Sequence, residues 1–239
     1  MNLAIDIGNT RVKMGIFDQD QLLQYDVVEK LPLNYLTQWL TNHSIQNIIY
    51  CSVGKVLDQK LQAFLDQHAL FLDAHTPIPV TNHYQTPATL GKDRLAAVVG
   101  AFALFPETNC IVVDAGSCIT CDVLKKGGHY LGGNISPGIK MRLKAMHEFT
   151  AALPLVEPGE LRAWIGDSTT AALRNGAQLG AIFEVMAFVD YLETHYGDFQ
   201  VIITGGDAEY FVKNLKREIF VHQNLVLAGL NQILKHNVD

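Results

Sequence analysis

The hydrophobic positions in the first half of the chain alternate between strand and helix spacing. Short apolar runs predict strands, and Leu33, Leu36 and Leu40 recur at the spacing of one helix face. The predicted strands are residues 2–7, 12–17, 22–28, 45–53 and 69–72, and the predicted helices are residues 33–42, 56–67 and 93–104. An irregular segment rich in Pro, Thr, His and Asn, residues 76–90, precedes the last of these helices.

The second half repeats this arrangement. Strands are predicted at residues 110–113, 119–124, 130–135 and 200–204, and helices at residues 137–146, 167–196 (interrupted at Gly180), 208–215 and 225–236. Aligning Asp6 with Asp114 places residues 3–9 over residues 111–117, and in both halves a strand leads to an acidic residue and a glycine. The sequence therefore predicts an α/β fold built from a duplicated unit, with domains at residues 1–107 and 108–239.

Composition and charge limit the kinds of molecule that the protein is expected to bind. The 239 residues are 49% hydrophobic, enough for a substantial core, and carry a formal net charge of −6. Nucleic-acid binding needs clustered Lys and Arg, and the chain has no basic block, so no nucleic-acid partner is expected. No apolar run reaches the roughly 20 residues of a membrane span, and the N-terminus lacks a signal-peptide pattern. A cytoplasmic protein without membrane contact is therefore expected.

The segment from Asp6 to Lys13 is the first candidate for chemistry. An apolar strand delivers Asp6 to a turn in which Gly8 lets the backbone approach a ligand. The Asn-Thr pair that follows supplies short hydrogen-bonding side chains, and Arg11 and Lys13 add positive charge. Such a turn suits phosphate oxygens and a hydrated cation, although Asp, Gly and Asn are equally common in an ordinary β-hairpin turn.

Two further segments extend this pattern. Asp114-Ala115-Gly116-Ser117 repeats the acidic strand end, and two such ends facing one cleft would repel each other unless a cation or a proton lay between them. The pair therefore favours a metal–phosphate site over two unrelated turns. The strand at residues 200–204 runs into Gly205-Gly206, which permits close approach of a flat ring or a ribose, although strand–Gly-Gly–helix is a common structural pattern.

Residues 84–94 read Tyr-Gln-Thr-Pro-Ala-Thr-Leu-Gly-Lys-Asp-Arg and lead into a predicted helix. Asp93 is placed where it could cap that helix, which would be a purely structural role. Arg94 offers a planar donor fork suited to a carboxylate or a phosphate oxygen. The residues alone leave both the structural and the functional interpretation of this segment open.

These motifs together resemble known families. In order, residues 6–13, 114–117 and 201–209 resemble the phosphate-1, phosphate-2 and adenosine elements of the actin, sugar kinase and Hsp70 superfamily. The pattern Tyr-x-x-Pro-x-x-Leu-Gly-x-Asp-Arg resembles the pantothenate-binding segment of type III pantothenate kinases, and residues 132–138 and 166–169 are similar to the same family. The resemblance covers nearly the whole chain. It implies two duplicated ribonuclease-H-like domains, with mixed sheets flanked by helices and ATP in the interdomain cleft.

The resemblance also implies a reaction and a role for each matching residue. The reaction is ATP-dependent phosphorylation of pantothenate to 4'-phosphopantothenate, the first step of coenzyme A biosynthesis. Asp93 would be the catalytic proton acceptor, Asp114 would bind a monovalent cation (K⁺ or NH₄⁺) beside Mg²⁺–ATP, and Thr169 would reach pantothenate from the partner subunit of a homodimer. The implied ATP contacts are Asp6, Ile7, Gly8, Asn9, Thr10, Arg11, Val12, Lys13 and Ser117. The implied pantothenate contacts are Tyr84, Gly91, Lys92, Asp93, Arg94 and Thr169.

The chain departs from the family pattern in the second phosphate motif. Ser117 stands where Thr is usual and Cys118 where a small residue is usual; Ser keeps the hydroxyl, so the departure concerns packing rather than activity. Two other functions stay open. A sugar kinase or phosphatase on the same fold is not expected to match residues 84–94. An accessory protein without turnover has no physical reason to keep clustered charges such as Asp6 and Asp93.

Overall fold

The computed structural model describes residues 1–54, 57–161 and 163–238, which form eleven strands and seven α-helices. The strands are β1 (Asn2–Ile7), β2 (Val12–Asp18), β3 (Gln21–Val28), β4 (Asn47–Ser52), β5 (Leu70–Phe71), β6 (Thr81–Asn82), β7 (Cys110–Ala115), β8 (Cys118–Lys125), β9 (His129–Pro137), β10 (Gln200–Thr204) and β11 (Phe220–Val221). The helices are α1 (Leu33–Asn42), α2 (Gln59–His68), α3 (Lys92–Leu104), α4 (Ile139–Glu148), α5 (Thr169–Tyr196), α6 (Ala208–Asn214) and α7 (Leu225–Val238). A turn of 3-10 helix, Pro87–Thr89, precedes α3.

The strands form two mixed sheets whose orders correspond. The first sheet is ordered β3-β2-β1-β4-β5, and the second is ordered β9-β8-β7-β10-β11 with β6 added beside β9. In the first sheet β1 pairs antiparallel with β2 and parallel with β4, which places Asp6 between Lys13 and Cys51. The predicted α/β class with two mixed sheets is confirmed, and the matching strand orders are those expected of a duplicated unit.

Packing divides the described residues into two compact units. The first contains the described residues up to Cys110, the segment Asp122–Gly132 and the C-terminal helix α7, and the second contains Ile111–Cys121 and the described residues from Gly133 to Gln223. Helix α7 therefore packs with the N-terminal half of the chain. The domains at residues 1–107 and 108–239 are predicted from the repeated sequence pattern and not from packing. That division stays a prediction.

Helix α3 is held in the first unit by unusually close packing against α7. A Cβ atom on Gly229 would lie 1.7 Å from the backbone oxygen of Ala96, and one on Gly100 would lie 2.7 Å from that of Leu225. Two glycines at the crossing thus let the two backbones touch, which larger side chains would prevent. This contact fixes the helix whose first turn carries Asp93 and Arg94.

Some predicted elements differ from the structure for local reasons. Helix α5 runs without a break through Gly180, so the predicted interruption there is wrong. Helix α2 begins at Gln59, because the Asp58 side chain accepts hydrogen bonds from its first turn; the predicted start at Val56 lies outside the described residues. The two-residue strands β6 and β11 are not predicted, because a run so short has no readable period. None of the helices in the described part of the chain is long and apolar enough to span a bilayer.

Candidate active site

The segment from Asp6 to Lys13 forms the tight connection between β1 and β2. The Gly8 amide donates to the backbone oxygen of Arg11 at 3.0 Å, which closes the turn. Asp6 and Lys13 are direct partners across the antiparallel ladder, and the residues between Gly8 and Val12 are exposed. The segment is therefore a hairpin, as its turn residues allow, and it presents one acidic and one basic strand end side by side.

The carboxyl group of Asp6 is buried away from solvent. Its residue is 7% exposed, and the Cys51 thiol donates a hydrogen bond to its Oδ1 at 3.5 Å. Burial raises the pKa of Asp6 to about 6, against the lowering effect of Lys13 and with a further rise from the charge of Asp93. Burial also raises the pKa of Cys51 well above its usual value, so the thiol stays protonated and acts as a donor. A cation beside this carboxyl group would favour its ionised form.

Asp93 lies in the first turn of α3 and not at its N-cap. Gly91 is the N-cap residue, and the interpretation of Asp93 as a capping residue is wrong because the helix begins one residue earlier than predicted. Asp93 Oδ1 accepts a hydrogen bond from the Arg94 amide at 2.8 Å, and a Cβ atom on Gly91 would lie 2.7 Å from that oxygen. The charge of Asp93 contributes to the raised pKa of Asp6, so the two carboxyl groups lie within electrostatic reach of each other.

The loop before α3 is organised by the other predicted pantothenate contacts. The Lys92 ammonium group donates to the backbone oxygens of Pro87 at 3.2 Å and Leu90 at 3.0 Å, so it closes the loop on itself. The Tyr84 amide donates to the Asn82 side chain at 2.9 Å. These bonds hold the segment in a defined shape, and the predicted contact of Lys92 with pantothenate stays a prediction.

Arg94 is buried and paired with an acidic residue outside the predicted site. Its Nη2 lies 2.6 Å from Asp122 Oδ1, its Nε lies 3.1 Å from both carboxylate oxygens, and the two residues are 5% and 1% exposed. Burial alone would lower the pKa of Arg94, but the hydrogen bond and charge of Asp122 raise it. Asp122 is not among the site residues that the sequence predicts. A charged residue between apolar neighbours of a predicted strand is the signal that could have identified it.

In the second unit, the end of β7 packs directly against the glycine pair after β10. Gly205 has a φ of +96°, and a Cβ atom on it would lie 2.4 Å from Asp114 Oδ1 and 2.3 Å from the Ala115 backbone oxygen. The Asp207 amide donates to that same oxygen at 2.8 Å. The predicted cation ligand Asp114 and the predicted adenosine element are therefore in contact.

The rest of the second phosphate motif is joined to the start of α4. The Gly116 amide donates to the Cys118 backbone oxygen at 2.9 Å, and the Gly138 amide donates to that of Ser117 at 3.1 Å. Ser117 itself is exposed. The turn that follows Asp114 thus has a fixed backbone and presents its serine side chain at the surface.

A pocket of about 310 Å³ is formed by α4, α5, α6 and the segment before α5. It is lined by Ile139, Lys140, Pro158, Gly159, Gln178, Asp207 and Tyr210. Gln178 fixes one wall, because its amide group bonds both the nitrogen of Gly159, at 3.0 Å, and its backbone oxygen, at 2.9 Å. Burial raises the pKa of Asp207, and the charge of Lys140 lowers it. The volume lies at the lower end of the range for small-molecule pockets, about 300–1,000 Å³.

Thr169, the predicted contact from a partner subunit, is the first residue of α5. It is exposed and follows Ser168, whose hydroxyl caps the helix by accepting from the Ala171 amide at 3.4 Å. No hydrogen bond among the described residues joins Thr169 to another predicted site residue. Its predicted role depends on a second subunit and stays a prediction.

The two sheets have corresponding strand orders, and in each of them a strand has an acidic residue near its end and leads into a glycine turn. These features define the fold class. This is the fold of actin, the sugar kinases and Hsp70, as the sequence predicts. The solved structure of the ROK hexokinase from Thermus thermophilus is similar, with a TM-score of 0.55, 14% identity and coverage of 99% of either chain. A likeness at that identity establishes the fold alone.

Sequence comparison identifies the family. The profile described as type III pantothenate kinase matches residues 2–191. The type III pantothenate kinase of Phocaeicola vulgatus is 42% identical over 241 residues that cover 99% of both chains. That of Flavobacterium johnsoniae is 38% identical over 242 residues, covering 100% of this chain and 99% of the relative. The chain belongs to the type III pantothenate kinase family and is a kinase, and both predictions are confirmed.

Proposed function

We propose that this kinase transfers the γ-phosphoryl group of ATP to the primary hydroxyl of pantothenate. The product is 4'-phosphopantothenate, and the reaction begins coenzyme A biosynthesis. The assignment of the site rests on placement: Asp6 lies near the end of β1, at the β1–β2 turn, and Asp93 lies in the first turn of α3 in the same compact unit, where its charge contributes to the raised pKa of Asp6. This placement supports a single site for the predicted proton acceptor and the predicted phosphate turn, which phosphoryl transfer between their ligands requires.

The β1–β2 turn is proposed to hold the ATP phosphates, with contacts spread over residues 6–13 and Ser117. Asp6 fits a site for Mg²⁺–ATP, because it is a buried carboxyl group with a raised pKa that a cation would stabilise as the carboxylate. The described residues contain no cluster of three His, Cys, Asp or Glu that could hold a metal alone. Magnesium is usually bound by one or two carboxylates together with substrate phosphates, so Asp6 is a sufficient protein ligand.

Asp93 is proposed to orient the pantothenate hydroxyl and to accept its proton. Phosphoryl transfer passes through a loose transition state, so alignment and charge stabilisation matter more than early removal of the proton. The Arg94 amide bonds Asp93 Oδ1 at 2.8 Å and fixes the carboxylate in the first turn of α3. A late proton transfer to a positioned carboxylate is consistent with the high pKa of an alcohol.

Pantothenate is proposed to lie along Tyr84 and the loop that ends in Gly91, Lys92, Asp93 and Arg94. The loop is closed by Lys92 and its end is fixed by α3, so it presents a surface that changes little when a ligand binds. Residues 84–94 are also what distinguishes this kinase from a sugar kinase with the same fold.

Asp114 is proposed to bind the monovalent cation, K⁺ or NH₄⁺. Its Oδ1 and the Ala115 backbone oxygen both lie within 2.4 Å of where a Gly205 Cβ atom would be. A carboxylate and a carbonyl in one place are hard oxygen donors of the kind that such cations take. The neighbouring pocket of about 310 Å³, bounded by Lys140 and Asp207, is proposed to take the adenosine part of ATP.

A homodimer is proposed in which Thr169 reaches the pantothenate of the partner subunit. The second unit exposes large apolar side chains: Phe149 and Ile165 are 85% exposed and Trp164 is 68% exposed, with its ring stacked on Phe183. Trp164 and Ile165 are neighbours in the chain, and adjacent exposed apolar groups of this size commonly mark a protein interface. A cytoplasmic location is part of the proposal, and the free thiols of all four cysteines suit a reducing compartment.

The decisive assay is the formation of 4'-phosphopantothenate from ATP and pantothenate with Mg²⁺ and K⁺, detected by mass. The same preparation is tested with a panel of sugars as acceptors and of sugar phosphates as substrates for hydrolysis. Phosphorylation of pantothenate alone supports the proposal. Turnover of a sugar or a sugar phosphate without pantothenate turnover would replace it, and the absence of any turnover would indicate an accessory protein.

A further inference from the structure

Tyr84 and Arg94, at the two ends of the loop that is proposed to bind pantothenate, form a polar cluster with Asp122 and Tyr130, here termed the Asp122 cluster; Tyr84 is half-buried and the other three residues are buried. All four residues belong to the first compact unit. Tyr84 and Arg94 are predicted substrate contacts, whereas Asp122 and Tyr130 come from β8 and β9 and have no assigned role. Within the cluster, Asp122 and Tyr130 contact Arg94 and Tyr84.

Asp122 is the centre of the cluster. Its carboxylate accepts from Arg94 Nε and Nη2 and also from the Tyr130 hydroxyl, at 2.7 Å. Tyr130 is fully buried, and Asp122 is 1% exposed. A carboxylate with three donors from two side chains leaves the guanidinium group little freedom to rotate.

The Tyr84 ring is held by the same residues. Its centroid lies 5.6 Å from Arg94 Cζ, in cation–π contact, and 6.3 Å from that of the Tyr130 ring, with the two planes at 4°. A Cβ atom on Gly132, whose φ is +106°, would lie 3.0 Å from Tyr84 Cδ2. The ring is therefore seated on the backbone of β9, where only glycine leaves room for it.

Stability alone does not account for this arrangement. A buried ion pair pays a desolvation cost that its attraction often fails to recover, and apolar residues of similar volume are commonly at least as stabilising. What the pair does supply is orientation: Nε and Nη2 are committed to Asp122, so the plane of the guanidinium group, and with it Nη1, is fixed beside the Tyr84 side chain.

We propose that Asp122 and Tyr130 are positioning residues for pantothenate. They fix the guanidinium of Arg94 and the ring of Tyr84 so that both face the substrate in one orientation, with Nη1 directed to a polar oxygen of pantothenate. Neither residue needs to touch the substrate. This inference rests on the proposed function, since it concerns how the same kinase recognises its acceptor.

The test compares steady-state kinetics of Tyr130→Phe and Asp122→Asn with those of the wild-type enzyme. Tyr130→Phe removes one hydrogen bond and should raise the KM for pantothenate about 3- to 10-fold. Asp122→Asn weakens the anchor of Arg94 and should raise it at least about 10-fold. The KM for ATP should stay within about twofold in both variants, because none of the hydrogen bonds and ring contacts given above for the cluster involves residues 6–13. Tyr35→Phe, which removes the hydroxyl that bonds Asp26 far from residues 84–94 in the chain, is the matched control and should change neither constant.

A double-mutant cycle decides whether Asp122 acts through Arg94. If it does, Asp122→Asn should raise the KM for pantothenate little further once Arg94→Gln is present, so the double variant should match Arg94→Gln within about twofold. This cycle also covers the case in which Asp122→Asn alone folds poorly, because the double variant contains no unpaired buried charge. Effects that multiply, or equal losses for ATP and pantothenate, would overturn the inference. An inactive wild-type enzyme would instead overturn the proposed function.

Discussion

Asp6 and Cys51 are register partners on the parallel strands β1 and β4, and the Cys51 thiol donates a hydrogen bond to the Asp6 carboxyl group. Burial raises the pKa of both side chains, that of Asp6 to about 6. The thiol is a weak donor, so the carboxylate form is poorly compensated before a cation binds. A carboxyl group that is costly to ionise in the free protein is well suited to bind a cation.

The first prediction is that Asp6→Asn stabilises the ligand-free protein while it abolishes ATP-dependent turnover. The folded-state pKa is raised from 3.8 to about 6, so the folded state binds more protons than the unfolded state and loses stability as the pH rises between these values. Above pH 6 this cost reaches up to about 3 kcal/mol. The variant should therefore gain free energy of unfolding of that order near neutral pH.

Urea denaturation at two pH values checks this prediction. The stability gain of Asp6→Asn should fall to roughly half when the pH is lowered from about 7.5 to about 5, because the wild-type carboxyl group is then largely protonated when folded. A gain that does not depend on pH, or a variant less stable than the wild-type protein, would contradict the prediction. Either result would show that the surrounding residues already stabilise the ionised Asp6 carboxylate.

The second prediction concerns Gly205→Ala. The added Cβ atom would meet the Ala115 backbone oxygen at 2.3 Å, and alanine disfavours the φ of +96°. We expect a loss of about 1–3 kcal/mol in the free energy of unfolding and weaker ATP binding, because the end of β7 must move. Gly206→Ala is the matched control, since a Cβ atom there would have no atom within 4 Å. Equal stability of the two variants in urea would contradict the close packing of these segments.

The third prediction concerns Asp114→Asn. Removing the charge of the proposed cation ligand should raise the KM for ATP and shift the potassium activation curve to higher concentrations. Titrations with KCl at constant ionic strength, with NaCl as the balancing salt, separate cation binding from general screening. A potassium curve identical to that of the wild-type enzyme would remove Asp114 from the cation site.

The fourth prediction tests the proposed subunit arrangement by mixing two inactive variants. If Thr169 serves the partner's site, co-refolded Asp93→Asn and Thr169→Arg chains should regain activity, because one site of each heterodimer then has both native residues. If Thr169 serves its own subunit, the mixture should stay inactive. Size measurement of Trp164→Ser, with Tyr25→Ser as an exposed aromatic control from the first unit, reports whether the exposed apolar residues form the interface.

Much of the fold follows from local patterns in the sequence. Strands β1 and β10 and helix α1 match their predicted ranges, because each has a clear apolar period and a strong boundary signal such as the proline before α1. Gly180 misled the prediction because packing on a long buried helix overrides the weak helix propensity of one glycine.

The candidate site was predictable where a motif is contiguous and not where it depends on tertiary contact. Asp6, Asp93 and Arg94 lie in short recognisable segments. Asp122 bonds Arg94, and Tyr130 bonds Asp122, only because β8 and β9 pass beside α3, and no local pattern encodes that meeting. The N-cap position of Gly91 likewise depended on a one-residue boundary that sequence periodicity does not resolve.

The role of Asp93 as proton acceptor beside the phosphate turn is the central claim, and Asp93→Asn tests it most directly. The measurement is the single-turnover rate of 4'-phosphopantothenate formation with both substrates saturating, alongside ATP binding by the same variant. The rate should fall about 10²–10⁴-fold while ATP binding and the free energy of unfolding stay close to those of the wild-type enzyme. A near-normal rate in Asp93→Asn would contradict the account.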